Sequence, residues 1–137
     1  MNDPVPSMSA GAPQVDESLL TYTHVIYALH ALAVLIGLTT WHTVVGSFVG
    51  GLPSIIAVIM NYARRSATVG TFLESHFRWQ IRTFWYALLW AVVSWFLILS
   101  ILGILLGLIG LGALAIWIIY RVLRGWLALK DKRPMYV

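Results

Sequence analysis

Between Thr83 and Tyr120 the chain runs 38 residues without a charged side chain. No soluble domain of 137 residues can cover that stretch, because 60% of the chain is apolar and only 10% is charged. Ordinary soluble domains carry about 25% charged residues, so lipid is the natural solvent for this one. As one helix the run would measure about 57 Å, nearly twice a hydrocarbon core of about 30 Å, so it must fold back. The glycines Gly103, Gly107, Gly110 and Gly112 mark where it can do so, and place the turn near Ser100 to Ile104. Two spans follow, 83–101 and 104–122.

The first half repeats the pattern. Apolar stretches at 22–40 and 44–62 are separated only by Trp41-His42-Thr43. The expected fold is therefore all-α: a polytopic membrane protein with four transmembrane helices in two hairpins, and an interfacial helix before the third span. A three-span variant would make the second segment re-entrant at Gly51-Leu52-Pro53. All nine Lys and Arg fall in two stretches, Arg64 to Arg82 and Arg121 to Arg133. Basic flanks stay on the cytoplasmic side, so with four spans both termini are expected there. Tyr22, Tyr62, Trp79, Trp85, Tyr120 and Trp126 fit an aromatic belt on that side, with Trp41 at the opposite one. Residues 1–18 read as a disordered acidic tail, with Asp3, Asp16, Glu17 and three prolines and no basic signal-peptide region. Residues 19–129 form the transmembrane domain and 130–137 a basic cytoplasmic tail.

The positive charges flank apolar spans and line no polar face. They suit the bilayer and its anionic lipids, and nucleic acid is not expected. The densest polar motif is 72–86. Glu74 and Arg78 stand i,i+4 in the favourable order, with His76 and Gln80 beside them and Arg82 further on. His76, Gln80 and Thr83 form a stripe that enters the membrane and should face protein, since an unpaired polar group in lipid is costly. Asn61 could hydrogen-bond across to it. Asn61, Glu74, His76, Arg78, Gln80 and Arg82 are thus a candidate interaction seam, against the plainer reading of an interfacial anchor. Gly46 and Gly50 form a GxxxG pair suited to close helix packing, within the chain or in a homo-oligomer.

Four histidines, His24, His30, His42 and His76, invite a haem reading. Yet His24 and His30 point to different faces of one helix, and only His30 is deep. Haem binding is the remote alternative, and no cofactor or metal is expected. There is no Cys, phosphate-binding glycine loop, nucleophile elbow or carboxylate within a span. The chain reads as a non-enzymatic interaction protein that engages a membrane-protein partner or another copy of itself. A small oligomeric channel or carrier is the alternative.

Three segments carry a family resemblance: Asn61-Tyr-Ala-Arg-Arg65, Glu74-Ser-His-Phe-Arg-Trp-Gln80, and the tail from Tyr120 to Tyr136. Together they resemble the small bacterial four-span membrane proteins related to the chloroplast inner-envelope import component, the Tic-twenty-like group. The resemblance implies a four-helix membrane protein, with a role in protein translocation suggested by the plastid relatives. The chain itself reads as a multi-pass protein of the bacterial inner membrane that helps another membrane protein insert or assemble. Arg82-Thr83-Phe84 departs from the Asn-Phe pair of many relatives, so the seam here would differ.

Overall fold

The computed structural model describes residues 14–40, 44–101 and 103–136, with the backbone alone for 44–49. Four α-helices carry them: α1 (Glu17–Thr40), α2 (Val44–Arg64), α3 (Phe72–Leu99) and α4 (Ile104–Lys130). A 3-10 turn, Arg65–Thr68, links α2 to α3, and there is no strand among the described residues.

Asp16 caps α1. Its carboxylate accepts the Ser18 N–H at 3.0 Å and the Ser18 hydroxyl at 2.6 Å, which satisfies one of the orphan donors of the first turn. These bonds hold the Asp16 carboxyl below the usual carboxylate range. A depressed folded pKa means the cap stabilises the ionised state above the ordinary Asp value of about 4, and loses that contribution as pH falls through the folded one. Amide exchange of Ser18 to Leu20 should therefore quicken below about pH 4. Asp16→Asn should remove that pH dependence, and an unchanged pH profile in the variant would show the cap is not the cause.

The four-span expectation needs correcting. Among the described residues three helices, α1, α3 and α4, are long and apolar enough to cross a membrane, and α2 is not among them. Helix α2, at 21 residues, measures about 31 Å, but Gly50, Gly51, Pro53 and Ser54 interrupt its apolar stretch and buried, polar Asn61 ends it. Helix α3, at 28 residues, measures about 42 Å, so its first turns extend beyond a hydrocarbon core.

Packing shows which helix ends share one side of the bundle. The Tyr22 hydroxyl donates to Met60 O at 2.9 Å, Tyr27 meets His76 at 2.9 Å, and Trp126 Nε1 donates to His24 Nδ1 at 3.1 Å. The start of α1, the end of α2, the start of α3 and the end of α4 thus converge. Helix α1 runs parallel to α3 and antiparallel to α2 and α4. Both ends of the described chain and every Lys and Arg lie toward this one end, the basic end.

The core is concentrated there as well. Leu19, Tyr27, Leu73, Val122 and Leu129 form one buried cluster, and Ile26, Ala57 and Phe77 another. Toward the opposite end the buried positions of α3, α4 and the turn between them are small: Ser94, Gly103 and Gly107. A Cβ on Gly107 would lie 2.7 Å from Ser94 O, so the two backbones touch as they do in lipid-embedded helix pairs. Large apolar side chains such as Leu35, Phe96, Leu99 and Ile116 are exposed instead. This is the outward face of a membrane-embedded protein.

Candidate functional site at the basic end

Helix α3 enters the basic end through Leu73, His76, Phe77 and Gln80, which recur at helical spacing and are all buried. His76 Nε2 lies 2.7 Å from Arg133 O and Nδ1 lies 2.9 Å from the Tyr27 hydroxyl. A carbonyl can only accept, so Nε2 carries the proton and Nδ1 accepts from Tyr27. The Tyr27 and His76 rings stand edge to face at 5.9 Å. Tyr27 fits because position 125 has no side chain. A Cβ on Gly125 would lie 2.7 Å from Tyr27 Cε1 and collide with its hydroxyl.

His76 thereby fastens the segment after α4. The helix closes with Lys132 N bonded to Leu129 O and Arg133 N to Ala128 O, both at 2.9 Å. This is the double-bonded Schellman closure, which requires a left-handed residue. Lys132 supplies it, at φ 53°. The chain then turns back along α3. Met135 is buried, and its N–H donates to Ser75 Oγ at 2.8 Å. Because a β-carbon disfavours this backbone conformation, Lys132→Gly should stabilise the tail by about 0.5–1 kcal/mol. Thermal unfolding checks it, and a lowered midpoint would mean that the lysine side chain contributes more than its backbone strain costs.

Beside this latch lies a second polar centre. Arg121 Nε donates to Thr83 Oγ1 at 2.7 Å, and its guanidinium sits 3.6 Å from the centre of the Trp79 ring. Trp79 Nε1 donates in return to Arg121 O at 3.2 Å. A cation this far along α4 is accommodated by aromatic faces and a hydroxyl.

The structure divides the sequence-derived seam. Asn61, His76 and Gln80 are buried. Glu74 and Arg78 pair with each other at 2.9 Å on the outside, where such a pair contributes little. Arg82 is exposed. Asn61 does not bond across to the others: its Nδ2 and Oδ1 lack partners, as do both amide atoms of Gln80 and Nε2 of His30. Helix register explains this. Met60 is level with Tyr22, whereas Ser54, 3.1 Å from His30 Nδ1, is level with His30. Gln80 lies one turn beyond His76, the partner of Tyr27, and so belongs to the His30 level. Two buried polar layers result, one at Asn61 and a deeper one at His30 and Gln80.

Gly50 packs on the α1 backbone, where a Cβ would come within 3.2 Å of Gly37 N. The surroundings of Gly46 lie outside the described residues, as do His42 and residues 1–13. The remaining histidines are engaged separately: His24 with Trp126, His30 with Ser54 and His76 with Tyr27. Among the described residues no His, Asp and Glu side chains gather as a metal-binding group.

Sequence reasoning missed Tyr27, Ser75, Arg121 and Gly125. Arg121 had a signal, as the first charge after the long uncharged run. Tyr27 and Gly125 had none, because neither is unusual within its own helix. No family model, curated protein or solved structure matches the chain.

Proposed function

We propose that this is a non-enzymatic, multi-pass protein of the bacterial inner membrane that binds another membrane protein and assists its insertion or assembly. The observation that carries the reading is the set of unpaired polar atoms on Asn61, Gln80 and His30 inside an apolar bundle. Each unpaired group costs about 1–3 kcal/mol relative to a bonded one. They gain partners if the α1–α2 and α3–α4 pairs part and admit a polar group of an incoming segment. A pore lining would be wet, whereas these atoms are closed off, which favours the partner reading over the channel. Membership of the Tic-twenty-like group is part of the proposal. Its support is that the three segments carrying the resemblance, Asn61 to Arg65, Glu74 to Gln80 and Tyr120 to Tyr136, converge at the basic end.

Positive charge confined to that end favours a cytoplasmic location for it and for both chain ends. The chain has no Cys, so a single cysteine at Ile101, which is 91% exposed in the α3–α4 turn, reports sidedness without background. It should react with an impermeant maleimide added outside the cell, and reaction only after lysis would reverse the orientation. For the partner, a photoreactive residue at position 80 should give discrete protein adducts in membranes. Position 96, on the outward face, should give mainly lipid adducts. Equal patterns from the two positions would sink the partner reading.

A further inference from the structure

We infer that the groove between α4 and the returning tail is a binding site for the headgroup of an anionic glycerophospholipid. The inference rests on the membrane setting and not on any protein partner. The groove has a volume of about 660 Å³ and lies open along the outer side of the bundle. One wall is an α4 stripe, Tyr120, Leu123, Arg124 and Leu127, whose i, i+3, i+4, i+7 spacing puts them on one face. The other wall carries Arg133 and Tyr136.

Three features select the ligand. The first is charge. Two guanidinium groups line the groove and no acidic side chain does. Arg124 spends one N–H on the Tyr120 hydroxyl, and Arg133 is held by Asp131 in an exposed ion pair. Exposed pairs of that kind are weak, so most of the donors remain for a phosphate, which a planar guanidinium binds in bidentate fashion.

The second feature is position. Arg124 lies six residues before the end of α4 at Lys130, or about 9 Å from it, within reach of the headgroup layer for a snorkelling side chain. Leu123 and Leu127, 54% and 61% exposed, flank it on the same face, where acyl chains would run. A soluble phosphate compound would leave these two leucines uncovered, so a lipid is the better occupant.

The third feature is rigidity. The tail wall is fixed by His76 on Arg133 O, by Ser75 on Met135 N and by the Schellman closure. A preformed wall lowers the ordering cost of binding.

The test is native mass spectrometry of the detergent-purified chain titrated with phosphatidylglycerol or phosphatidylcholine. One phosphatidylglycerol should be retained per chain, with phosphatidylcholine much weaker. Arg124→Gln and Arg133→Gln should each weaken phosphatidylglycerol about fivefold, the order one basic contact contributes at a membrane surface. Lys130→Gln removes the same charge from the same end but lies outside the groove lining, and should leave binding unchanged. Inorganic phosphate should not displace the lipid. Equal loss in Lys130→Gln would reduce the effect to general basic attraction, and displacement by phosphate would make it a free-anion site. Either result overturns the inference, as does equal binding of the two lipids. Flotation with phosphatidylcholine vesicles separates the two readings. A chain that inserts into them yet shows no phosphatidylglycerol preference refutes the lipid site and leaves the membrane reading standing.

Discussion

Gly125→Ala should lower the melting temperature of the detergent-purified protein sharply, by the equivalent of about 2–4 kcal/mol. The new methyl group would meet Tyr27, which is 1% exposed and cannot swing away. Overpacking of a tight core costs about 1–3 kcal/mol. Displacing the Tyr27 hydroxyl also strips His76 Nδ1 of its donor, and an orphaned buried acceptor adds about 1–3 kcal/mol. Gly112→Ala is the control, since nothing lies within 4 Å of a Cβ there. It should be neutral or stabilising by up to about 1 kcal/mol, the difference in helix propensity. The loss should also reach the tail, because His76 holds Arg133 O. Amide exchange at Met135 should therefore rise in Gly125→Ala and stay unchanged in Gly112→Ala. Equal melting temperatures for the two variants would mean that Tyr27 is not the constraint described.

Gln80→Leu should do the opposite and raise stability by about 1–3 kcal/mol, because an apolar side chain of similar size replaces two buried atoms without partners. Asn61→Leu should follow in the same direction. His76→Leu should destabilise, since both of its ring nitrogens are bonded. This contrast tells an unused polar group from a working structural one. If Gln80→Leu instead destabilises, its amide is satisfied by something such as internal water, and the argument for an incoming partner loses its support. If the variant is more stable and still gives the same photoadducts from a neighbouring position, the amide is not the recognition element. A more stable protein with weakened adducts is the expected pairing, because function then accounts for a group that stability alone would discard.

The polar stripe of α3 was legible because its spacing is local. His76, Gln80 and Thr83 recur at helical intervals, and the cost of an unpaired polar group in lipid turns them inward whatever the neighbours are. Which atoms they bond was not legible. Tyr27 reaches His76 across 49 positions and Arg121 reaches Thr83 across 38, and such pairings depend on helix register and rotation. Asn61 illustrates this. The sequence invited a bond to the seam, but the antiparallel register of α2 against α1 sets Asn61 level with Tyr22, away from Gln80.

By itself the sequence determined that the chain is helical and lipid-embedded, and that its positive charge is confined to the flanks of its apolar stretches. Those properties follow from composition and from the length of helix a bilayer accepts, and they need no knowledge of neighbours. The tertiary structure decided which seam residues face inward. It also decided that the described residues after α4 fold back onto α3. The reason is the same in each case. A hydrophobic run gains energy from lipid alone, whereas a buried amide, a glycine beneath a tyrosine ring or a latched carbonyl acquires its meaning only from the helix packed against it.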